Sequence, residues 1–304
     1  MQRSDLKTQE AVCPACDSVR TVCLGEFTAK LDGSFSAVMH RCKSCGSKFT
    51  WPVISPAELD RFYSVVFEGG PGRALLNNSA AKLRMAQVLL SEVEPWLPAG
   101  GDALDIGAGY GEWLELLYGA GRYDGLCGVE YSDSMVRELQ KRCPWAYIVK
   151  APAEEVDRVL GGRKFSLITL IAVIEHLHDP HRVLQHVSAH LRAGGRVVMV
   201  YPRVDSWPGR LMGKHWHLFS PVAHLTLYSR KGLIEGAARS GLRVVASRRL
   251  KQYYDLSYVL SLIKYFFPLF AGAGRLGGSN TLKRIGFKVY TGIDFIVAEK
   301  AASS

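Results

Sequence analysis

The chain has 304 residues, of which 48% are hydrophobic and 22% are charged. This composition excludes a largely disordered chain and allows one large core with a small accessory unit. The net charge of +10 favours anionic partners such as nucleic acid, an acidic membrane surface or a phosphorylated small molecule, although a soluble basic surface explains it equally well. The N-terminus MQRSDLKTQE lacks an apolar run followed by a cleavage site, so we expect a cytoplasmic protein.

Two CxxC pairs stand near the N-terminus, Cys13-Pro-Ala-Cys16 and Cys42-Lys-Ser-Cys45, about 25 residues apart. Each pair wraps a turn that directs two thiolates at one ion, and in a reducing compartment clustered cysteines are more often metal ligands than disulfides. The spacing therefore predicts a closed, structural zinc site, with unmetallated or redox-active thiols as the alternative. The segments TVCLGEF and FSAVMHRC are typical of the short strands of a zinc ribbon.

The pattern divides the chain into a zinc ribbon, a helical linker and a main domain, over residues 1–52, 53–95 and 96–304. In the linker, Ser55 before Pro56, with Glu58 three positions later, predicts the start of a helix. The Gly-rich stretch EGGPGRALLNNS then predicts a link into a second helix over about 79–94.

From about residue 102, short apolar runs alternate with amphipathic stretches. The predicted strands are DALDIG, GLCGVE, AYIVK, FSLITLI, RVVMVYP, LRVVASRRL and DFIVAEK, and the predicted helices cover 111–119, 133–142, 154–160, 180–192 and 229–239. Apolar strands separated by helices predict an α/β fold with a mostly parallel seven-stranded sheet covered on both faces. Ligands of such sheets bind beyond the carboxyl ends of the strands, so the motifs that follow the strands are the candidate sites.

The loop after the first strand is rich in glycine, and an acidic residue, Glu130, closes the second strand. Glycines let the backbone turn sharply and approach a ligand, and the next helix offers free N–H groups at its N-terminus. The loop reads Asp105-Ile-Gly107-Ala-Gly109-Tyr-Gly111, a GxGxG spacing that departs from the dinucleotide pattern GxGxxG. It predicts a nucleotide-type cofactor with Glu130 on ribose hydroxyls; an ordinary turn and a solvated strand end are the alternative.

The stretch IEHLHDPH follows the fourth strand. Asp179 is well placed to cap a helix that begins at Pro180, which leaves Glu175 and His176 as a candidate catalytic pair. A neutral imidazole can take a proton from a hydroxyl group or an activated carbon of a substrate. A neighbouring carboxylate can orient the ring or bind substrate hydroxyl groups. Metal ligation by His176, His178 and Asp179, or a solvated cluster without function, are the alternatives.

Two insertions are predicted in the main domain, over about 203–226 and 250–290, on the side where a substrate that accepts a group from the cofactor would bind. The first contains KHWHLFSPVAH, whose His217 and His224 are further candidates for catalysis or acceptor binding, with packing or zinc ligation as the alternatives. The second repeats apolar residues at helical spacing over 256–267 and predicts a lid or an interfacial helix, with peripheral membrane contact through 256–270, rather than a transmembrane span.

Four motifs in this order resemble those of class I S-adenosylmethionine-dependent methyltransferases over roughly residues 100–300. They are LDIGAGYGEWL, GVEYSDSM, AVIEHLHDPHRVLQHVSAHLRAGGRVVMVYP and HWHLFSPVAHLTLYSRKGL. The front part, CPAC to RCKSCGSKFTWPVISPAELDRFY, is similar to the zinc-ribbon leader of bacterial methyltransferases associated with sugar and surface-polysaccharide modification. The resemblance implies a Rossmann-like fold, S-adenosylmethionine as the cofactor and a structural zinc ion.

The resemblance also implies roles for particular residues. The loop around the methionyl part of the cofactor would be formed by Asp105, Gly107, Gly109 and Gly111. Glu130 would hold the ribose, and Tyr131 would pack near the adenine. Pro152 stands near the position where many relatives carry an Asp facing the adenine amine, so we expect backbone groups of Ala153 and Glu154 to take that contact. In similar sugar methyltransferases a Glu-His pair lines the acceptor pocket, as Glu175 and His176 would here.

The expected activity is methyl transfer to a small or lipid-linked anionic acceptor, foremost a phosphorylated or nucleotide-linked sugar. An RNA methyltransferase with the ribbon as its recognition module is the alternative, although IEHLHDP is not the Asn/Asp-Pro-Pro-aromatic clamp that stacks a flipped base. A non-catalytic protein whose ribbon recruits a partner is a third hypothesis.

Overall fold

The computed structural model of the protein describes residues 10–29, 33–65, 79–255 and 286–301. The predicted Gly-rich link before Ser79 and the predicted membrane-contact stretch 256–270 lie outside these residues. The strands are β1 (Thr21–Thr28), β2 (Ser36–Cys42), β3 (Lys48–Thr50), β4 (Asp102–Ile106), β5 (Gly125–Glu130), β6 (Tyr147–Lys150), β7 (Phe165–Ile171), β8 (Leu191–Pro202), β9 (Thr226–Leu227), β10 (Leu242–Arg249), β11 (Gln252–Asp255), β12 (Gly286–Val289) and β13 (Ile293–Lys300). The α-helices are α1 (Pro56–Tyr63), α2 (Ser79–Val93), α3 (Glu112–Gly119), α4 (Asp133–Arg142), α5 (Val156–Leu160), α6 (Pro180–His190), α7 (Trp207–Met212) and α8 (Arg230–Arg239).

The main sheet has seven strands in the order β10-β13-β8-β7-β4-β5-β6. Five adjacent strands run parallel to one another, namely β8, β7, β4, β5 and β6. Strand β13 is antiparallel to both of its neighbours, β8 and β10. The predicted mostly parallel sheet is therefore confirmed. Because the order reverses between β4 and β7, their carboxyl ends open the crevice in which such folds bind ligands.

Two hydrophobic cores cover the two faces of this sheet. On β7, Ile168 and Leu170 face one core together with apolar residues of α6 and α8, whereas Leu167 faces the other with residues of α2 and α3. Both faces of β7 are buried, which explains why FSLITLI is apolar without alternation.

The helix starts follow their local sequence. Ser55 caps α1, and the Ser55 and Glu58 side chains bond each other's backbone N–H groups in a capping box. Asp179 accepts from the Arg182 N–H at 3.0 Å at the start of α6. Within the described residues, no helix is both long and apolar enough to cross a membrane.

The ribbon sheet has four antiparallel strands in the order β1-β2-β3-β9. The fourth, β9, belongs to the insertion after β8, so the insertion completes the ribbon sheet. Gly232 and Gly236 allow helix α8 to lie close to the turn that carries Cys13 and Cys16. A Cβ on Gly236 would lie 3.0 Å from the carbonyl oxygen of Ala15 in that turn. The ribbon is therefore packed against the main domain.

Candidate functional site

The four cysteines of the ribbon converge on one point. The sulfur atoms of Cys13 and Cys45 lie 3.7 Å apart, and those of Cys16 and Cys42 lie 3.6 Å apart. All four sulfur atoms lie within 4.8 Å of one another. Zn–S bonds of about 2.3 Å in a tetrahedron place sulfur atoms about 3.8 Å apart, so the two measured pairs match zinc and all four thiols are close enough to bind one ion.

The thiols of the ribbon shift one another's pKa in opposite directions. The contact between Cys13 and Cys45 lowers the pKa of Cys45 and raises that of Cys13, and burial raises the pKa of Cys16, so the thiolate is favoured at Cys45. The Cys45 N–H points at the Cys42 sulfur over 3.5 Å. Buried charge of this kind needs a partner, which a divalent cation would supply. With four protein ligands the site has no open position, so any zinc there would serve structure.

The glycine loop after β4 has the shape of a ligand cradle. Gly109 has a φ of +55°, and a Cβ built on it meets no atom within 4 Å, so the backbone faces open space. Gly107 has a φ of +72°, and a Cβ there would lie 2.4 Å from the Val173 side chain. The start of α3 at Gly111 has no side-chain cap, which leaves backbone N–H groups for a bound group. These features fit S-adenosylmethionine.

Asp105 lies at the base of this loop and is almost fully buried. Its Oδ1 accepts a 2.6 Å hydrogen bond from the Thr169 hydroxyl, which lowers the pKa, but burial dominates and raises it to about 7. A carboxyl of this kind can gain or lose a proton near neutrality. It can therefore accept from an ammonium group brought to the loop.

Glu130 ties the end of β5 to the glycine loop. Its Oε2 accepts from the Gly109 N–H at 2.8 Å, and its Oε1 accepts from the N–H groups of Tyr131 and Ser132 at 2.9 Å each. Both lone pairs of Oε1 are thus used, and Oε2 keeps one further lone pair. The side chain is thus fixed in place and still able to accept from ribose hydroxyls.

The predicted adenine side lies next to Glu130. The Tyr131 hydroxyl contacts the Asp60 carboxylate of α1 at 3.2 Å, and its ring is about half exposed. Ala153 and Glu154 form a 3-10 turn after β6, and the Glu154 carboxylate accepts from the His178 N–H at 3.1 Å. The backbone of this turn is available for adenine, and the assigned contacts stay predictions.

The segment after β7 delivers Glu175 and His176 to the crevice. It turns at Ala172, whose φ of +55° is rare for a residue with a Cβ, and continues past Val173, which packs on the glycine loop. Glu175 and His176 then lie in a 3-10 turn at the end of the parallel strand. The structure thus places the pair just after the end of β7, within three residues of the contact between Val173 and the glycine loop, and its catalytic role stays a prediction.

Burial keeps both members of the pair uncharged at neutral pH. Burial raises the pKa of Glu175 to about 8 and lowers that of His176 to about 4. Their closest atoms, His176 Nε2 and Glu175 Oε1, are 3.9 Å apart, beyond hydrogen-bond distance. His176 keeps 29% of its side chain exposed, against 2% for Glu175, so an acceptor can reach the imidazole.

The tautomer of His176 follows from its neighbours. Its Nδ1 lies 2.8 Å from the Ala223 carbonyl oxygen and 2.9 Å from the Tyr63 hydroxyl. A carbonyl can only accept, so we assign the proton to Nδ1, which leaves a lone pair on Nε2. Tyr63 is a site residue that sequence reasoning missed, because its helical spacing with Leu59 and Phe62 indicated only packing.

His224 meets this pair from the insertion after β8. Its Nδ1 donates to the Leu218 carbonyl at 2.8 Å, and its ring packs edge-on against His176 with centroids 4.9 Å apart. Burial lowers the pKa of His224 to about 3. Glu175, His176 and His224 each place a ligand atom within 4.8 Å of the others, so the same atoms could receive a proton or hold a cation.

The remaining candidate ligands have other contacts. His178 Nε2 lies 3.0 Å from the Ile54 carbonyl, and Asp179 caps α6, so the alternative metal set of His176, His178 and Asp179 is not brought together among the described residues. The ring of His217 contacts Trp216, and His217 lies close enough to His224 for its charge to lower the pKa of that residue. Of the two candidates in the first insertion, His224 is the one whose ring packs against His176.

The comparison with protein families yields one domain. The family described as Methyltransferase domain matches residues 79–247, more than half of the chain. No curated protein matches the sequence.

Solved structures of similar shape cover most of the chain. A candidate methyltransferase from Bacillus halodurans superposes with a TM-score of 0.51 at 10% identity, over 72% of this chain and 99% of that chain. A chain of a second structure superposes with a TM-score of 0.52 at 12% identity, over 75% of this chain and 96% of that chain. That structure is the complex between the Haloferax volcanii Trm112 methyltransferase activator and the candidate methyltransferase. At these identities the likeness shows the fold alone.

Proposed function

Because the chain belongs to the methyltransferase domain family and is an S-adenosylmethionine-dependent methyltransferase, we propose that it methylates a small or lipid-linked acceptor, foremost a phosphorylated or nucleotide-linked sugar. The observation that carries this proposal is a partly exposed His176 whose pKa is lowered and whose Nε2 keeps a free lone pair, three residues after the Val173 that packs on the glycine loop. When bound, S-adenosylmethionine supplies an electrophilic methyl group on a sulfonium centre.

The chain's residues would hold that cofactor in one orientation. The glycine loop and the start of α3 would surround its methionyl part, Asp105 would accept from its ammonium group, and Glu130 would accept from the ribose hydroxyls. In-line displacement depends on positioning, so rigid contacts of this kind supply much of the rate.

His176 receives the proton that the acceptor loses. The Ala223 carbonyl holds the Nδ1 proton, so Nε2 is the atom that accepts. Because burial lowers the pKa to about 4, the imidazole stays neutral across the physiological range and is not blocked by a proton. A second zinc on Nε2 would occupy this lone pair, so the proposal requires that metal be confined to the ribbon.

The surroundings of His176 support a sugar acceptor. The rings of Tyr63, His176 and His224 offer apolar faces next to the buried Glu175 carboxyl. Glu175 Oε2 is buried and has no hydrogen-bond partner among the described residues, so a sugar hydroxyl would satisfy it only after the side chains around it shift. The net charge of +10 favours acceptors that carry phosphate.

Transfer of a labelled methyl group tests the proposal. The purified protein is offered nucleotide-linked sugars, lipid-linked sugar phosphates and RNA, and we expect label in a sugar-containing acceptor. His176→Gln keeps a donor for the Ala223 carbonyl but cannot accept a proton, so the rate should fall about 100-fold or more.

His186→Gln, in the exposed part of α6, is the matched control and should keep the wild-type rate. Full activity of His176→Gln would contradict the proposed base. Label in RNA alone would replace the sugar acceptor by RNA.

A further inference from the structure

The short helix α7 presents large apolar side chains to solvent. Trp207, Leu211 and Met212 are exposed by 56%, 78% and 43%. Trp207 and Leu211 are four residues apart and lie on the same face of the helix. Scattered exposed apolar residues are ordinary, but three in six consecutive residues mark a contact surface.

The same stretch is basic. Arg210 and Lys214 are exposed, and neither makes an ion pair with the part of the chain that the structure describes. The sequence has no Asp or Glu between Asp205 and Glu235. The α7 patch, defined here as Trp207, Arg210, Leu211, Met212 and Lys214, therefore joins apolar and cationic groups without acidic residues in its own loop.

A fixed base supports the patch. Trp216, just beyond α7, is 1% exposed, and its indole N–H donates to the Thr291 carbonyl at 2.8 Å. It packs in a cluster with Met39 of the ribbon and Leu227 of β9. Since the residues beneath α7 are already packed, the exposed side chains cannot turn inward without displacing this core.

The loop that carries the patch also forms the acceptor pocket. After Trp216 the chain continues to Ala223, whose carbonyl holds His176, and to His224, whose ring packs on His176. A surface held by the α7 patch would thus be connected to the pocket through one packed segment. This link between patch and pocket rests on the proposed function.

We propose that the α7 patch docks on the surface of an anionic lipid bilayer and so brings a lipid-linked acceptor to the pocket. Tryptophan with aliphatic side chains suits the interface between headgroups and acyl chains, and arginine and lysine are attracted to anionic headgroups. RNA fits the patch less well, because Trp207 is its one aromatic side chain, and leucine and methionine give no stacking platform for successive bases.

Sedimentation of the full-length protein with vesicles tests the proposal. We expect binding to anionic vesicles that contain phosphatidylcholine and about 30% phosphatidylglycerol. Binding to vesicles of phosphatidylcholine alone should be at least about ten-fold weaker. Arg210→Gln should weaken binding to the anionic vesicles about five-fold, because each basic residue near the surface adds roughly that factor. The double variant Trp207→Ser/Leu211→Ser should weaken it about ten-fold or more.

The matched controls lie on the ribbon. Val19→Ser/Leu24→Ser removes two exposed apolar side chains, and Arg41→Gln removes an exposed charge; both should bind vesicles like the wild type. Equal loss in the control variants, or no wild-type binding to anionic vesicles, would overturn the proposal. Self-association abolished by the Trp207→Ser/Leu211→Ser change, without vesicle binding, would assign the patch to a second copy of the chain instead.

The binding of S-adenosylmethionine separates this inference from the proposed function. We expect the double variant to bind the cofactor like the wild type, because neither residue lies in the cofactor loop. Cofactor binding without vesicle binding would overturn only the membrane inference, whereas vesicle binding without cofactor binding would overturn only the proposed function.

Discussion

His176 owes its chemistry to the residues that surround it. A histidine in water is partly protonated near neutrality, but burial holds His176 in its neutral form, and the Ala223 carbonyl selects the tautomer with a free Nε2. Burial likewise raises the pKa of Glu175 beside it to about 8, because it disfavours the carboxylate. In the proposed reaction the pair would therefore act through uncharged groups, with His176 as the proton acceptor, rather than as an ion pair.

The raised pKa of Glu175 predicts a pH-dependent stability. Between its ordinary value of 4.5 and the folded value of about 8, the folded protein holds a proton that the unfolded chain releases, so rising pH lowers the free energy of unfolding. Gln does not titrate. The melting temperature of Glu175→Gln relative to wild type should therefore rise between pH 5 and pH 8, on the order of a few °C.

Glu138→Gln is the control for this measurement. Glu138 is exposed, and Lys141 lowers its pKa, so removing its charge should produce no such increase with pH. A constant difference between Glu175→Gln and wild type across this range would show that the Glu175 carboxyl is ionised when folded.

Among the elements, β9 has the largest consequence. By pairing with β3 it joins the ribbon sheet to the insertion that carries Ala223 and His224. The Ser229 hydroxyl, just after β9, donates to the Cys45 carbonyl at 2.6 Å, so the second cysteine pair is tied directly to this insertion. The ribbon thereby supports the segment that carries Ala223 and His224, which is the wall of the proposed acceptor pocket.

Loss of zinc should therefore affect the pocket as well as the ribbon. We predict one zinc per chain by metal analysis, and that Cys42→Ser, which removes one of four ligands, abolishes it and lowers both the melting temperature and methyl transfer. Cys23→Ser is the control, because Cys23 is exposed and outside the cluster.

Two results would contradict this view of the ribbon. Full activity of Cys42→Ser without zinc would separate the ribbon from the pocket. A second zinc that persists in Cys42→Ser and disappears in His224→Ala would place metal at the histidines.

Elements with strong local signals could be predicted from the sequence. Helix α4 has the bounds 133–142 that its sequence predicts, because Ser132 caps its start and basic residues close it. The two-residue strand β9 has no periodicity to detect, and its partner lies far away in the chain. The contact of Tyr63 with His176 likewise spans 113 residues and depends on packing that the sequence does not display.

At the scale of the whole molecule, the sheet order brings separate motifs to one crevice. The glycine loop after β4, Glu130 at the end of β5 and Glu175-His176 after β7 meet because β4 lies between β5 and β7. The sequence predicted this meeting, since parallel strands share an edge at their carboxyl ends. It could not predict that the ribbon and the insertion after β8 would close the other side, because that closure depends on long-range packing.

The central claim is that this crevice binds S-adenosylmethionine. Calorimetric titration of the purified protein tests it most directly, with wild type and Glu130→Gln compared under the same conditions. We predict one cofactor per chain, bound about ten-fold or more weakly by Glu130→Gln, because a charged acceptor of hydrogen bonds is lost. Absence of binding by the correctly folded wild-type protein would contradict the account.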